Sequence, residues 1–81
     1  MTRILLADDD EATRDLVKRA LESDGHSVVL AQDGAEALEA LTAGAPFDLL
    51  VSDVHMPGLD GVDLAMRAVD ASPGIKLLLM S

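Results

Sequence analysis

The chain contains no cysteine, tryptophan or tyrosine, and Phe47 is its single aromatic residue. Without cysteine there is neither a disulfide framework nor a thiolate metal site, which is typical of a reducing compartment such as the cytoplasm. With one aromatic side chain, stacking on nucleic acid bases is excluded, and any core must be built from aliphatic side chains and methionine. At 81 residues, the chain can form at most one small domain.

Basic residues are also scarce: six Lys and Arg stand against fifteen Asp and Glu, so the net charge is -9. This charge repels phosphate backbones and anionic lipid, which argues against direct binding of nucleic acid or membrane by this segment. Long apolar runs are missing too, and those at 28–31 and 77–80 span only four residues each. A signal peptide core needs about 7 to 15 apolar residues and a membrane helix about 20, so neither is predicted.

Short apolar runs alternate with segments of helical periodicity. The runs at 4–7, 28–31, 47–52 and 75–80 predict four strands, and the segments 11–24, the Ala-rich stretch after Asp33, and 61–70 predict three helices. Gly25 is suited to end the first helix, and Asp60 to cap the third. Strands that alternate with helices over short connections predict βαβ units and a doubly wound parallel sheet.

The fourth predicted strand has leucines at three consecutive positions, 77 to 79, which is typical of a strand buried on both faces. Within the 81 residues nothing follows that could cover these faces or pair with the outer edge. We therefore expect the sequence to be the amino-terminal part of a longer domain, unless strand swapping or dimerisation supplies the rest.

Carboxylates follow two of the predicted strands. Asp8 and Asp9 come directly after strand one, and Asp53 ends strand three. Neighbouring parallel strands lie about 4.8 Å apart, so their carboxyl ends can bring these acids together in the crevice where such sheets bind ligands. Oxygen ligands of this kind favour Mg²⁺ or Mn²⁺, and a bound cation would relieve their mutual repulsion. Asp53 is the candidate nucleophile toward phosphorus, giving an aspartyl phosphate.

Each of these features also has a simpler interpretation. Asp8, Asp9 and Asp10 could form a solvated loop in which one aspartate caps the first helix. The Met-Pro-Gly loop after strand three could be only a turn. His26 and His55 lie in different loops without the spacing of a zinc site, and no glycine-rich nucleotide motif occurs. Only the order and spacing of the acidic motifs together favour a functional site.

Four segments carry a resemblance to a known family: LLADDD at 5–10, LVSD at 50–53, MPGLDG at 56–61 and Ser81 at the end of the chain. Over residues 1–81 the sequence resembles the receiver domain of bacterial two-component response regulators, incomplete at its carboxyl-terminal side. The resemblance implies a flavodoxin-like α/β fold with strand order 2-1-3-4-5, truncated here after the fourth strand.

The resemblance also implies roles for single residues. Asp53 would be the phospho-acceptor, and Asp8 and Asp9 would hold Mg²⁺ together with it. The backbone carbonyl of His55 would complete the protein ligands of the metal. Ser81 would be the switch hydroxyl that moves to hydrogen-bond the phosphoryl group.

The implied function is phosphorelay signalling, in which a sensor histidine kinase or phosphotransfer protein donates the phosphoryl group and a downstream protein target reads the changed surface. Such a receiver is a switch and not an enzyme, with at most slow autodephosphorylation, and it works in the bacterial cytoplasm. Whether it forms a homodimer stays open.

Two alternatives stay open at this stage. The conserved lysine that the family places on its fifth strand has no counterpart among the 81 residues, since Lys18 and Lys76 fall at other positions. An interaction module that works without phosphorylation is therefore one alternative. An aspartyl-phosphate phosphatase is the other, although such enzymes usually carry a second acid two residues after the nucleophile, where this chain has His55.

Overall fold

Strands and helices alternate along the chain as the apolar pattern predicts. A computed structural model describes residues 2–44 and 46–80. Its strands are β1 (Arg3–Ala7), β2 (Ser27–Ala31), β3 (Leu49–Asp53) and β4 (Lys76–Met80). Its helices are α1 (Glu11–Ser23), α2 (Gly34–Thr42) and α3 (Gly61–Ala71).

The four strands form one parallel sheet in the order β2-β1-β3-β4. The chain therefore winds outward from β1 to β2, returns past β1 to β3, and continues to β4. The change of direction lies between β1 and β3, where a doubly wound sheet leaves a crevice at the carboxyl ends of its strands. The predicted fold and strand order are confirmed.

The core has two layers because successive residues of β1 point to opposite faces of the sheet. Leu5 and Ala7 pack with buried residues of α2 and α3 on one face, whereas Ile4 and Leu6 pack against α1 on the other. Leu5 and Leu6 are both fully buried. The unbroken run of apolar residues at positions 4–7 of β1 is thus explained by helices on both sides of the sheet.

The third strand begins and ends later than the apolar run predicts, at Leu49 and Asp53 in place of 47 and 52. Phe47 is buried in the core before the strand starts, and the Arg3 guanidinium lies 5.1 Å from its ring centroid. Asp48 accepts a hydrogen bond from the backbone amide of Arg3 at 2.8 Å. The first residue of the run is therefore a core anchor outside the strand, and Asp53 is the last residue within it.

Helix α1 is less buried than its apolar spacing suggests. All of its residues are exposed or half-buried. Val17 and Leu21 pack against the sheet, whereas Leu16 is 71% exposed and Ala20 is also exposed. In α3, by contrast, the predicted inward positions Leu64, Ala65 and Ala68 are all buried.

No helix in residues 2–44 and 46–80 has both the length and the apolar character that crossing a membrane requires.

Strand β4 is the most exposed strand of the sheet. Leu77, Leu78 and Leu79 are 40%, 53% and 40% exposed, although their sequence is typical of a strand buried on both faces. The strand lies at the border of the sheet and pairs with β3 along one side. Its apolar side chains are therefore placed in the sheet without the helical cover that β1 receives.

Candidate functional site

Three carboxylates converge at the carboxyl ends of the central strands. Asp8, Asp9 and Asp53 each place one carboxylate oxygen within 4.8 Å of the others. Asp8 is buried, Asp53 is half-buried and Asp9 is exposed. The structure therefore brings together the three acids that the sequence predicts, although more than forty residues of chain separate Asp53 from Asp8 and Asp9.

Asp8 is held by hydrogen bonds to its backbone and its side chain. Its amide donates to the carbonyl of Ala31 at 3.2 Å, which extends the pairing of β1 with β2 by one residue. One of its carboxylate oxygens accepts from the Asp10 amide at 2.9 Å. Its carbonyl oxygen accepts from Nη1 of Arg14 at 2.8 Å. Asp8 is thus fixed at the start of the loop that leads into α1.

Asp53 is fixed by the strand and by the loop that follows it. As the last residue of β3 it is the register partner of Met80, and its Oδ1 accepts from the His55 amide at 3.0 Å. Gly61, the first residue of α3, lies against the Asp53 backbone so closely that a Cβ there would overlap the Asp53 carbonyl. The start of α3 therefore packs tightly against the backbone that carries this carboxylate.

Asp10 and Thr13 extend the acidic site toward α1. The Thr13 hydroxyl donates to a carboxylate oxygen of Asp10 at 2.6 Å. This hydrogen bond is the main reason that the pKa of Asp10 is lowered, and the positive charge of Arg14 adds to it. Asp10 precedes α1 as its N-cap residue, but its side chain caps no backbone amide of the helix.

Asp8, Asp10 and Asp53 line a cleft of about 320 Å³, together with Thr13 and Met80. A larger hollow of about 550 Å³ lies at the opposite ends of the strands, beside residues such as Phe47 and Lys76. The smaller cleft holds the chemical groups and occupies the position where doubly wound sheets bind ligands. We therefore assign the candidate site to the smaller cleft.

The donor set suits a small, hard divalent cation. Mg²⁺ binds oxygen at about 2.1 Å, so opposite ligands of one ion are about 4.2 Å apart. The spread of 4.8 Å among the three oxygens is close to this scale, and Mg²⁺ usually retains waters that can bridge a longer gap. Asp8, Asp9 and Asp53 could therefore hold such an ion.

The other predicted site residues have different outcomes. His55 is exposed and its amide donates to Asp53, so it lies beside the site, while the role of its carbonyl stays a prediction. Ser81 lies outside the described residues. Lys18 lies within α1 and pairs with Glu22 at 3.5 Å, and Lys76 begins β4 at the far end of the sheet, so neither reaches the carboxylates.

The periodic patterns of the sequence do not indicate a role for Arg14 in the site. Its contact with the Asp8 carbonyl joins residues six apart across the end of a strand and the start of a helix. No periodic pattern links these positions. An arginine at the end of the first turn of a helix that follows an acidic loop is the only sequence feature that points to it.

Comparison with known proteins gives one consistent family. A sequence model of the response regulator receiver domain matches residues 4–81. The response regulator receiver protein CpdR of Brucella abortus is 42% identical over 81 residues, which covers the whole chain and 67% of that protein. The response regulator MprA of Mycolicibacterium vanbaalenii is 40% identical over 79 residues, 98% of this chain but 34% of that protein.

The fold agrees with these relatives. The crystal structure of a CheY-like receiver domain protein from Methanospirillum hungatei superimposes with a TM-score of 0.92 at 33% identity, covering 98% of this chain and 62% of that one. The chain thus spans about two thirds of CpdR and of this solved receiver, and about one third of MprA. Sequence, fold and acidic cleft agree, and the chain belongs to the response regulator receiver domain family.

Proposed function

We propose that Asp53 is the phospho-acceptor of a magnesium-dependent receiver. The observation that carries this proposal is the convergence of Asp8, Asp9 and Asp53, in which Asp53 is half-buried and lines the cleft. Receiver domains of response regulators interact with histidine kinases and downstream effectors. For this chain we infer a phosphohistidine on a sensor kinase or phosphotransfer protein as the donor.

In the proposed reaction a carboxylate oxygen of Asp53 attacks the phosphorus atom of phosphohistidine. The new P–O bond forms as the P–N bond breaks, and its electron pair returns to the imidazole ring, which takes up a proton. Asp8, Asp9 and Asp53, with the His55 carbonyl, would hold Mg²⁺. The ion would offset negative charge on the phosphoryl oxygens.

The residues around Asp53 have defined tasks in this proposal. The hydrogen bond from the His55 amide occupies Oδ1 and orients the carboxylate, leaving Oδ2 as the attacking atom. Asp8 is buried and held by three hydrogen bonds, so its carboxylate is already placed before a metal arrives. Ser81 would provide the hydroxyl that responds to the phosphoryl group.

The proposed output is a change in the population of conformations that a downstream protein binds, so the domain acts as a switch and not as a turnover enzyme. Hydrolysis of the aspartyl phosphate by water would reset the switch slowly. We place this activity in the cytoplasm, where a histidine kinase would present its phosphohistidine.

Labelling with acetyl phosphate tests the proposal. The full chain is incubated with radiolabelled acetyl phosphate and millimolar Mg²⁺, beside the variants Asp53→Asn and Asp70→Asn. Asp70 is an exposed acid of α3, so its variant matches the charge change away from the cleft. We expect label on the wild type and on Asp70→Asn, and none on Asp53→Asn or after addition of EDTA.

Three results would contradict the proposal in different ways. Equal labelling of Asp53→Asn would reject Asp53 as the acceptor. A wild-type chain that binds Mg²⁺ but takes no label would favour an interaction module that works without phosphorylation. Rapid turnover of small phosphomonoesters would favour a phosphatase.

A further inference from the structure

The side chain of Arg14 closes the loop between β1 and α1. Arg14 lies at the end of the first turn of α1, and its Nη1 reaches back over six residues to donate to the Asp8 carbonyl oxygen at 2.8 Å. The hydrogen bond is partly buried, and Asp8 itself is only 3% exposed. The segment that this contact spans contains both Asp8 and Asp9, two of the three converging acids.

We propose that Arg14 is a positioning residue for the cation site. Its guanidinium fixes the peptide that joins Asp8 to Asp9, and so keeps both carboxylates directed toward Asp53. This inference rests on the proposed function, because it takes the three carboxylates to be metal ligands. Arg14 donates its hydrogen bond to a backbone carbonyl and not to a ligand carboxylate. It nevertheless determines the positions of the Asp8 and Asp9 carboxylates.

The geometry of the contact favours a positioning role over a charge-balancing role. A guanidinium that served to neutralise the acids would direct its N–H groups at carboxylate oxygens, in the paired geometry that arginine favours. The Arg14 donor is instead directed at a backbone carbonyl. That carbonyl belongs to a buried residue at the end of the sheet, so losing the donor would leave it without its partner and free the loop to move.

The two roles predict opposite changes in metal affinity, which makes them separable. A positive charge beside the site repels a divalent cation, so removing it would tighten binding if charge were the whole effect. If Arg14 positions the loop, removing it weakens binding in spite of the more negative site. Changes to groups that orient metal ligands typically weaken metal binding by about 10- to 100-fold.

The test measures Mn²⁺ binding by the full chain, with free Mn²⁺ followed by electron paramagnetic resonance. Mn²⁺ is the probe because it takes the same oxygen ligands as Mg²⁺. The variants are Arg14→Gln, Arg14→Lys and Arg19→Gln. Arg19 is an exposed arginine of the same helix, so Arg19→Gln changes the net charge equally without touching the loop.

We expect Arg14→Gln to bind Mn²⁺ about 10-fold more weakly than the wild type. Arg14→Lys keeps the charge but has a shorter, unforked donor, so we expect about threefold weaker binding. Arg19→Gln should stay within about twofold of the wild type at physiological salt. Far-UV circular dichroism of each variant shows that affinity is compared between folded proteins.

An Arg14→Gln affinity within twofold of the wild type, or tighter, would overturn the positioning role. If Arg14→Gln does not fold, the Arg14→Lys variant decides. An Mn²⁺ affinity of Arg14→Lys equal to that of the wild type would then overturn the positioning role. A wild type that binds no Mn²⁺ would reject the cation site and this inference together. A binding wild type with unaffected Arg14 variants would reject this inference alone.

Discussion

Asp8 and Asp53 lie side by side because the residues before them, Ala7 and Ser52, are register partners in the parallel pair β1 and β3. The register alone therefore brings the two acids to the same level of the sheet. The Asp53 carboxylate is held there by the His55 amide, and the Asp8 carboxylate by the Asp10 amide. In the metal-free chain the two negative charges repel each other at short range.

Replacing Asp53 with asparagine should stabilise the metal-free protein. The amide oxygen can still accept the His55 hydrogen bond, while the repulsion from Asp8 and Asp9 is lost. We expect the free energy of unfolding to rise by about 1 kcal/mol. This is the repulsion between two unit charges at such a distance in water, and it applies because the cleft is open to water. Urea denaturation in EDTA measures it. Asp70→Asn is the control and should change stability by less than about 0.5 kcal/mol, so a destabilised Asp53→Asn would contradict this prediction.

Magnesium should stabilise the wild type by mass action. A cation that binds only the folded state at ten times its dissociation constant adds about 1.4 kcal/mol to the free energy of unfolding. Thermal denaturation with and without MgCl₂, at ionic strength matched by NaCl, measures the gain. We expect a smaller gain in Asp53→Asn, which loses one charged ligand. An equal gain in that variant, or with NaCl alone, would show that the cleft is not where Mg²⁺ acts.

Gly61→Ala should weaken both the fold and the cation site. Alanine stabilises a helix by about 1 kcal/mol relative to glycine. The substitution would therefore be stabilising if the space around this first residue of α3 were open. The added Cβ would instead overlap the Asp53 carbonyl and lie 2.8 Å from the Val54 Cα. We expect a net loss of about 2 kcal/mol, measured by urea denaturation, because backbone must move.

Gly34→Ala is the matched control for this change. Gly34 begins α2, and a Cβ there would overlap the Leu59 backbone rather than Asp53. We expect a similar loss of stability with Mn²⁺ affinity close to that of the wild type, whereas Gly61→Ala should also bind Mn²⁺ more weakly. Equal affinities in the two variants would mean that Gly61 serves packing alone.

Asp60→Ala should remove the cap of α3. The Asp60 side chain accepts from the Asp63 amide at 2.9 Å, which satisfies one of the free donors at the start of the helix. Loss of such a cap costs about 1 kcal/mol, measurable by urea denaturation. Asp70→Ala changes the charge of the same helix without touching a cap. If both variants lost the same stability, net charge rather than capping would be the cause.

Much of this architecture follows from local patterns. The number and order of the elements, the cap at Asp60 and the glycine turn at Gly25 are readable because short-range chemistry determines them. The convergence of Asp8, Asp9 and Asp53 was also predictable, since the carboxyl ends of parallel strands share one border of the sheet.

Features that depend on tertiary packing were predicted less well. The sequence pattern places Phe47 at the start of the third strand, yet it is a core anchor before that strand. Leu16 fits the helical stripe of α1 and still faces water, since only a narrow part of that stripe meets the sheet. The contact of Arg14 with the Asp8 carbonyl depends on side-chain reach across a turn, which residue spacing does not encode.

The exposed leucines of β4 have a practical consequence for handling the protein. In the described part of the chain, one edge of this strand presents backbone hydrogen-bond donors and acceptors. Beside them lie the leucine side chains at 77–79, which are 40% to 53% exposed. A border of this kind is a template for strand addition between molecules. Despite a net charge of -9, the solubility limit of a preparation of these 81 residues should therefore be set by five residues at one side of the sheet.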